Sequence, residues 1–254
     1  MAKIRKKRNL TAYVWIAGLT VSLASLVLVA FHWIDRTQLL RLEQIAISGN
    51  SILTDREISE LLGDLSGSIL PELNLSELTV QLEAHPYVAA ARLSVGYPHL
   101  LKVEIIERQP LVMVNQAELF LLDREGVCLP MIPQAFEYQI PALSGFNPDR
   151  DLYPLGRPAV SVKMKETIRL LRNVHDNYPA LFRELSEVTL SQDDEYMLIL
   201  TNRPTRINLG KASIMRKIAT LMAFDQALQG RKALTDYNYL DLRFSKQIIA
   251  REWS

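Results

Sequence analysis

Residues 42–58 read LEQIAISGNSILTDREI. Ile45-Ala46-Ile47 is a short β-type run that stops at Ser48-Gly49-Asn50, and Gly-Asn is turn chemistry. A helix start follows at once. Thr54 with Glu57 three residues on is a capping box, in which the Thr hydroxyl accepts from the backbone N–H at Glu57 and the Glu carboxylate reaches back. Ile58, Leu61 and Leu62 then form an apolar stripe, and Gly63 ends it. Asn74-Leu75-Ser76-Glu77 opens a second helix with Leu75, Leu78 and Leu82 on one face. His85-Pro86 stops that helix, because proline disfavours helical geometry in the residue before it. Two strands come next. Val88 to Val95 is the first, Gly96-Tyr97-Pro98-His99 the turn, and Leu100 to Arg108 the second, where Leu101, Val103 and Ile105 alternate with Lys102 and Glu104. Strand, helix, helix, strand, strand predicts a small unit with its helices packed on one face of a three-stranded sheet.

Outward toward the N-terminus, residues 12–34 (AYVWIAGLTVSLASLVLVAFHWI) hold no Asp, Glu, Lys or Arg. As a helix this stretch is about 34 Å long, enough to cross the hydrocarbon core of a bilayer. A cleaved signal peptide has a shorter apolar region and a small-x-small cleavage site, whereas this run ends in bulky Phe31-His32-Trp33-Ile34. Tyr13, Trp15 and Trp33 stand near its two ends, where amphipathic rings prefer the interface. The expectation is an uncleaved anchor at 12–34, a basic tail at 1–11 and a polar linker at 35–41. Lys3, Arg5, Lys6, Lys7 and Arg8 supply five of the chain's 29 basic residues, so the other 24 face 28 acidic ones. The cluster reads as a topology signal that holds the tail in the cytoplasm. A nucleic-acid tail is the rival, but the bulk of the chain offers no basic surface.

Outward toward the C-terminus, a second region begins near Pro110. Leu111–Val114 and Leu119–Leu122 read as strands, and Asp123-Arg124-Glu125-Gly126 supplies a hairpin turn. A proline-punctuated irregular stretch from Pro130 to Pro158 follows. Helical spacing returns over Met164–Tyr178 and over about 211–228. Short strands are expected at 188–190, 196–200 and 207–209. Residues 239–252 (YLDLRFSKQIIARE) predict one long terminal strand, with Leu240, Leu242 and Phe244 on an apolar face and Asp241 and Arg243 on a polar one. The fold class is therefore α+β: one transmembrane helix, a β-α-α-β-β domain at 42–109, then a mixed domain at 110–254 with a mainly antiparallel sheet and two helices.

Catalytic and metal chemistry finds little support. His32, His85, His99 and His175 are scattered, with no ligand spacing and no G-x-S-x-G or P-loop beside them. Asp193-Asp194-Glu195 lacks the alternating ligands and central Gly of a calcium loop and reads as a solvated hairpin tip. Cys128, the single cysteine, cannot form an intrachain disulfide and reads as a small buried apolar residue. No catalytic residue, cofactor or metal is expected. What remains is backbone chemistry: a terminal strand with free N–H and C=O groups can extend its sheet into a partner chain.

The ordered set of motifs resembles a known family. Ile45-Ala46-Ile47-Ser48-Gly49-Asn50 through Leu53-Thr54 to Glu57-Ile58 looks like the start of a POTRA domain. His85-Pro86-Tyr87-Val88, Tyr97-Pro98 and Glu107-Arg108-Gln109-Pro110 resemble its later segments. Leu122-Asp123-Arg124-Glu125-Gly126, Pro141-Ala142-Leu143-Ser144-Gly145, Leu209-Gly210 with a basic helix behind it, and Tyr239-Leu240-Asp241-Leu242-Arg243-Phe244 resemble the C-terminal domain of the FtsQ/DivIB cell-division family. That resemblance implies a non-enzymatic divisome scaffold in the bacterial inner membrane, concentrated at the septum. It implies binding of the coiled-coil proteins FtsB and FtsL through the C-terminal domain, and recruitment of other divisome proteins through the POTRA domain. It maps the partner-binding edge onto Tyr239, Phe244, Ser245, Lys246, Gln247, Ile248 and Ile249, with Phe244 as aromatic anchor. Beyond Phe244 the run Ser-Lys-Gln-Ile-Ile replaces a smaller, more Gly/Ala-like one. Two alternatives stand beside this: a POTRA-bearing secretion or outer-membrane assembly component, which normally continues into a many-stranded barrel, and a membrane-anchored wall enzyme.

Overall fold

A computed structural model describes residues 10–36, 40–116, 118–228, 230–244 and 247–253. The charge-free run forms α1 (Leu10–Arg36), and its segment Tyr13–Trp33 is long and apolar enough to cross a membrane, with none of it buried inside the protein. Trp15 and Phe31 are exposed along it.

The rest of the chain divides into two compact units. One runs up to Leu82 and takes in Ala91–Ile105; the other comprises Glu83–Ala90 and everything from Ile106 on. In the first, β1 (Gln44–Ser48) precedes α2 (Asp55–Leu62) and α3 (Leu75–Glu83). The strands β2 (Val88–Gly96) and β3 (Leu100–Glu107) follow, both continuing into the second unit. The sheet order is β1-β3-β2. β1 lies parallel to β3, with Ile45 opposite Leu101 and Ile47 opposite Val103. Leu101, Val103 and Ile105 are buried while Lys102 and Glu104 are exposed, so the period-two alternation sets which face is covered. Ile58, Leu62, Leu78 and Leu82 are buried from the two helices.

The helix caps form as the side chains dictate. Glu57 N donates to Thr54 Oγ1 at 3.2 Å and Thr54 N donates to Glu57 Oε2 at 2.8 Å. Asn50 Nδ2 bridges the approach, donating to Leu53 O at 2.9 Å and to Asp55 Oδ1 at 2.8 Å. Gly49 has φ +85°, and a Cβ there would stand 2.1 Å from the Ile105 carbonyl oxygen. Only glycine allows the chain to leave β1 so close to β3.

Among the described residues, the larger unit holds one nine-stranded sheet and three α-helices. Its strands are β4 (Pro110–Asn115), β5 (Leu119–Asp123), β6 (Cys128–Leu129), β7 (Ala142–Ser144), β8 (Leu185–Leu190), β9 (Tyr196–Leu200), β10 (Arg206–Gly210), β11 (Tyr237–Asp241) and β12 (Ile249–Glu252). Its helices are α4 (Val162–Asn177), α5 (Pro179–Glu184) and α6 (Ile214–Leu228). The order is β12-β11-β10-β9-β8-β7-β4-β5-β6. β7 runs parallel to both its neighbours and β11 runs parallel to β10, while the other pairings are antiparallel. β7 arises inside the stretch read as irregular, and α5 is a short helix beyond the helical spacing read over Met164–Tyr178. The core joins Leu111, Val114, Leu122 and Leu143 from one end of the sheet with Leu198, Ile207 and Leu240 from the other. Met164, Ile168, Leu171 and Ile218 enter it from the helices.

The β5–β6 turn is organised by Asp123. This carboxylate is buried, accepts from Glu125 N at 2.9 Å and Val127 N at 2.8 Å, and pairs with Arg108 Nη1 at 2.8 Å. Cys128, next along, is fully buried, and burial aided by the Asp123 charge pushes its thiol up to about 12, so it carries no thiolate to act as a nucleophile near neutral pH.

Candidate partner-binding edge

The expected single strand over 239–252 is two strands. β11 ends at Asp241 and β12 begins at Ile249, and they pair antiparallel with Asp241 opposite Ile249, Leu240 opposite Ala250 and Tyr239 opposite Arg251. The predicted two faces also fail. Leu240, Asp241 and Leu242 are buried in succession, which no flat alternating strand does. Asp241 is the cause. Its Oδ1 accepts from Arg243 N at 2.9 Å, and its Oδ2 accepts from Arg243 Nη2 at 2.8 Å. A carboxylate that bonds the backbone two residues on turns the chain. Leu242 N meanwhile donates to Asn208 O at 2.9 Å, so the main chain leaves β11 still attached to β10. The Arg243 hydrogen bonds hold the Asp241 carboxyl below the usual carboxylate range against the opposing effect of burial.

β12 closes one end of the sheet order, and all four of its residues are exposed. It is tied back by a Lys232–Glu252 ion pair and by Trp253 Nε1 donating to Thr235 O at 3.1 Å. Among the described residues its outer backbone edge pairs with no strand.

Five of the seven candidate residues are described, and they fall around this hairpin in different ways. Phe244 (48 % exposed) and Ile249 (47 % exposed) offer apolar surface to solvent. Gln247 is exposed, and Ile248 is half-buried and packs against the core. Tyr239 is half-buried in β11, its hydroxyl 3.4 Å from Asp241 Oδ2. Ser245 and Lys246 lie outside the described residues. Phe244, Gln247 and Ile248 share an open groove of ≈ 570 Å³ with Ser213, Arg216, Lys217, Thr220, Leu242 and Arg243. Reading the last strand alone misses the α6 contribution. Lys217 is half-buried there, donating from Nζ to Leu209 O at 2.6 Å, and exposed Arg216 adds a second cation. The only sequence signal for them is the run of basic residues after Leu209-Gly210. Trp253 (39 % exposed) was also missed, although a tryptophan directly after the predicted strand is visible in the sequence.

Among the described residues no group of three or more His, Cys, Asp or Glu side chains stands close enough to hold a metal ion. Glu195 of the acidic hairpin tip instead lies 3.7 Å from Arg243 Nη1, and Asp194 lies 3.4 Å from Lys163.

Two family profiles match the chain: "POTRA domain, FtsQ-type" over residues 40–108 and "FtsQ/DivIB, C-terminal related" over residues 109–251. The chain belongs to the FtsQ/DivIB family. A Cell division protein FtsQ of Geobacter sp. (strain M21) is 23 % identical over 223 residues, 87 % of this chain and 80 % of that protein. Those of Geotalea daltonii (25 % over 225 residues; 87 % and 79 %) and Rhodothermus marinus (27 % over 235 residues; 88 % and 81 %) match to a similar extent. In this FtsQ/DivIB chain the Phe244 surface and residues 249–251 of β12 lie inside the C-terminal family match, and the Gly49 turn with the Thr54 cap lies inside the POTRA match.

Proposed function

We propose that this FtsQ/DivIB chain is a bitopic inner-membrane scaffold of the divisome. It binds FtsB and FtsL through its C-terminal domain and links early and late division proteins that control septal peptidoglycan synthesis. The observation that carries this is β12, a fully exposed terminal strand at the open end of a nine-stranded sheet. A partner strand added there gains main-chain hydrogen bonds for affinity, and pockets beside the edge give selectivity. Phe244 and Ile249 supply exposed apolar anchors next to that edge, and aromatic anchors dominate interface energetics. Tyr239, Ser245, Lys246, Gln247 and Ile248 complete the proposed contact set.

The proposed layout assigns residues 1–11 to the cytoplasm and 12–34 to the membrane. Residues 35–41 are the linker, 42–109 the POTRA domain that recruits further divisome members, and 110–254 the partner-binding domain. The bulk of the chain then works outside the cytoplasm at the septum, as a holder of other proteins rather than as an enzyme.

The test is binding of a soluble fragment, residues 37–254, to the extracytoplasmic part of the cognate FtsB, with and without Phe244→Ala. Loss of an anchor costs about 1–2 kcal/mol, a five- to thirty-fold weaker complex. Binding indifferent to the substitution keeps the scaffold and moves the site. No binding by either fragment removes the scaffold proposal.

A further inference from the structure

A second cationic surface stands at the opposite end of the C-terminal sheet from β12. Lys165, Arg169 and Arg172 occur at positions i, i+4 and i+7 of α4, so they share one face of the helix and span about 10 Å along its axis. All three are exposed, while Met164, Ile168 and Leu171 of the same helix are buried. The turn before β6, the strand that ends the sheet order, brings Arg124 alongside. These side chains line an open cleft of ≈ 230 Å³ with Met164, Ile168 and Ala159 at its apolar floor and Glu125 on its rim.

The charge there is largely uncompensated. Among the described residues Lys165 and Arg169 enter no ion pair, and Arg172 makes only a long 3.5 Å contact to the Arg124 carbonyl. Arg124 itself is neutralised by Asp176 at 2.6 Å. Hydrogen bonds from His175 and Arg124 hold the Asp176 carboxyl below its ordinary range. Beyond the N-terminal basic cluster the chain carries fewer basic than acidic residues, so this patch is a local excess of positive charge, set against the sign of the rest.

We propose that this cleft and the adjoining face of α4 dock an acidic helical segment of a partner protein, at a second interaction surface separate from the β12 edge. The three cations are spread in a line over two helical turns rather than converging on one point. A line of that kind matches carboxylates repeated at helical spacing on a partner. Two of the three are arginines, whose planar forks suit carboxylates, and the apolar floor accepts one apolar side chain between them. Glu125 on the rim repels a densely charged phosphate cluster more than a single carboxylate. The proposal does not depend on β12 binding FtsB.

The full chain in neutral-detergent micelles is titrated with a fluorescein-labelled helical peptide. The peptide carries Glu at i, i+4 and i+7 and one Leu beside them. A scrambled peptide of the same composition, inorganic tripolyphosphate at matched ionic strength, and the variants Arg169→Gln/Arg172→Gln, Lys165→Glu/Arg169→Glu and Phe244→Ala complete the set. The expected result is binding of the helical peptide that weakens at least tenfold in both cation variants and is unchanged by Phe244→Ala. The neutral Gln pair decides the matter if the charge-reversed chain fails to fold. Equal binding of the scrambled peptide, indifference to the cation substitutions, or no peptide binding overturns the proposal. Tripolyphosphate that binds through the same cations while the peptide does not would overturn it in favour of a phosphate surface.

Discussion

Gly49 shows how one residue positions a whole element. Its φ of +85° is closed to most side chains, and a Cβ would meet a carbonyl oxygen across the sheet at 2.1 Å. Gly145 repeats the arrangement against Leu190 O at 2.0 Å with φ +80°. Gly49→Ala therefore combines left-handed strain with a backbone clash and should cost about 2–4 kcal/mol, read as a lowered denaturant midpoint. A neutral effect would mean that the β1 exit can shift freely. Asp241 matters through charge. Its folded pKa is depressed, mainly by Arg243, so its contribution to stability is complete above the unfolded value near 4 and is lost as pH falls through the folded one. Asp241→Asn should lower the melting temperature at pH 7, and the difference should shrink by pH 3. An undiminished difference at pH 3 would mean that the carboxylate charge contributes nothing.

Among elements, β12 combines a free edge with little burial. All four residues are exposed, so little apolar area leaves water when it pairs with β11, and its ties are an ion pair at 40 % and 58 % exposure and one Trp253 hydrogen bond. Truncation before Ile249 should thus lower stability by only about 1 kcal/mol and yet abolish FtsB binding. If the truncated chain binds as well as the intact one, strand addition at β12 is not the mode of capture. A collapse of the melting transition would show instead that the hairpin supports the core. α4 makes the complementary point. Its buried stripe of Met164, Ile168, Leu171 and Val174 was legible because helical period is a local property. The role proposed for its outer cations depends on the β5–β6 turn beside them, a neighbour the local sequence does not specify.

At the scale of the molecule, the described residues hold one apolar helix and two compact units, to which the proposed function gives anchoring and docking. Five basic residues precede α1, and the proposed topology keeps them in the cytoplasm, as the positive-inside rule expects. Protease added outside intact inner-membrane vesicles of cytoplasm-inside orientation should therefore digest everything after α1 and leave a small membrane-protected fragment. Full protection of the C-terminal units would reverse the proposed topology and remove them from any extracytoplasmic partner.

Features that depend on a few neighbouring residues were legible before any fold was known. These are the length and charge-free character of residues 12–34, the Thr54–Glu57 cap, the Leu101-Val103-Ile105 alternation and the helical stripes of α4 and α6. Each follows from side-chain chemistry or period within one or two turns of chain. Tertiary structure alone decided which strands became neighbours. β7 is three residues with no pattern of its own, and it is a strand because β4 and β8 flank it on either side. Residues 239–252 alternate like one strand, yet Asp241 turns the chain once buried against Arg243, and Leu242 stays bonded to Asn208 on β10. Pairing across scores of residues is set by backbone hydrogen bonds that every residue except proline can make, so the local sequence cannot specify its partner, and the exposed edge at β12 becomes visible only when the sheet is assembled.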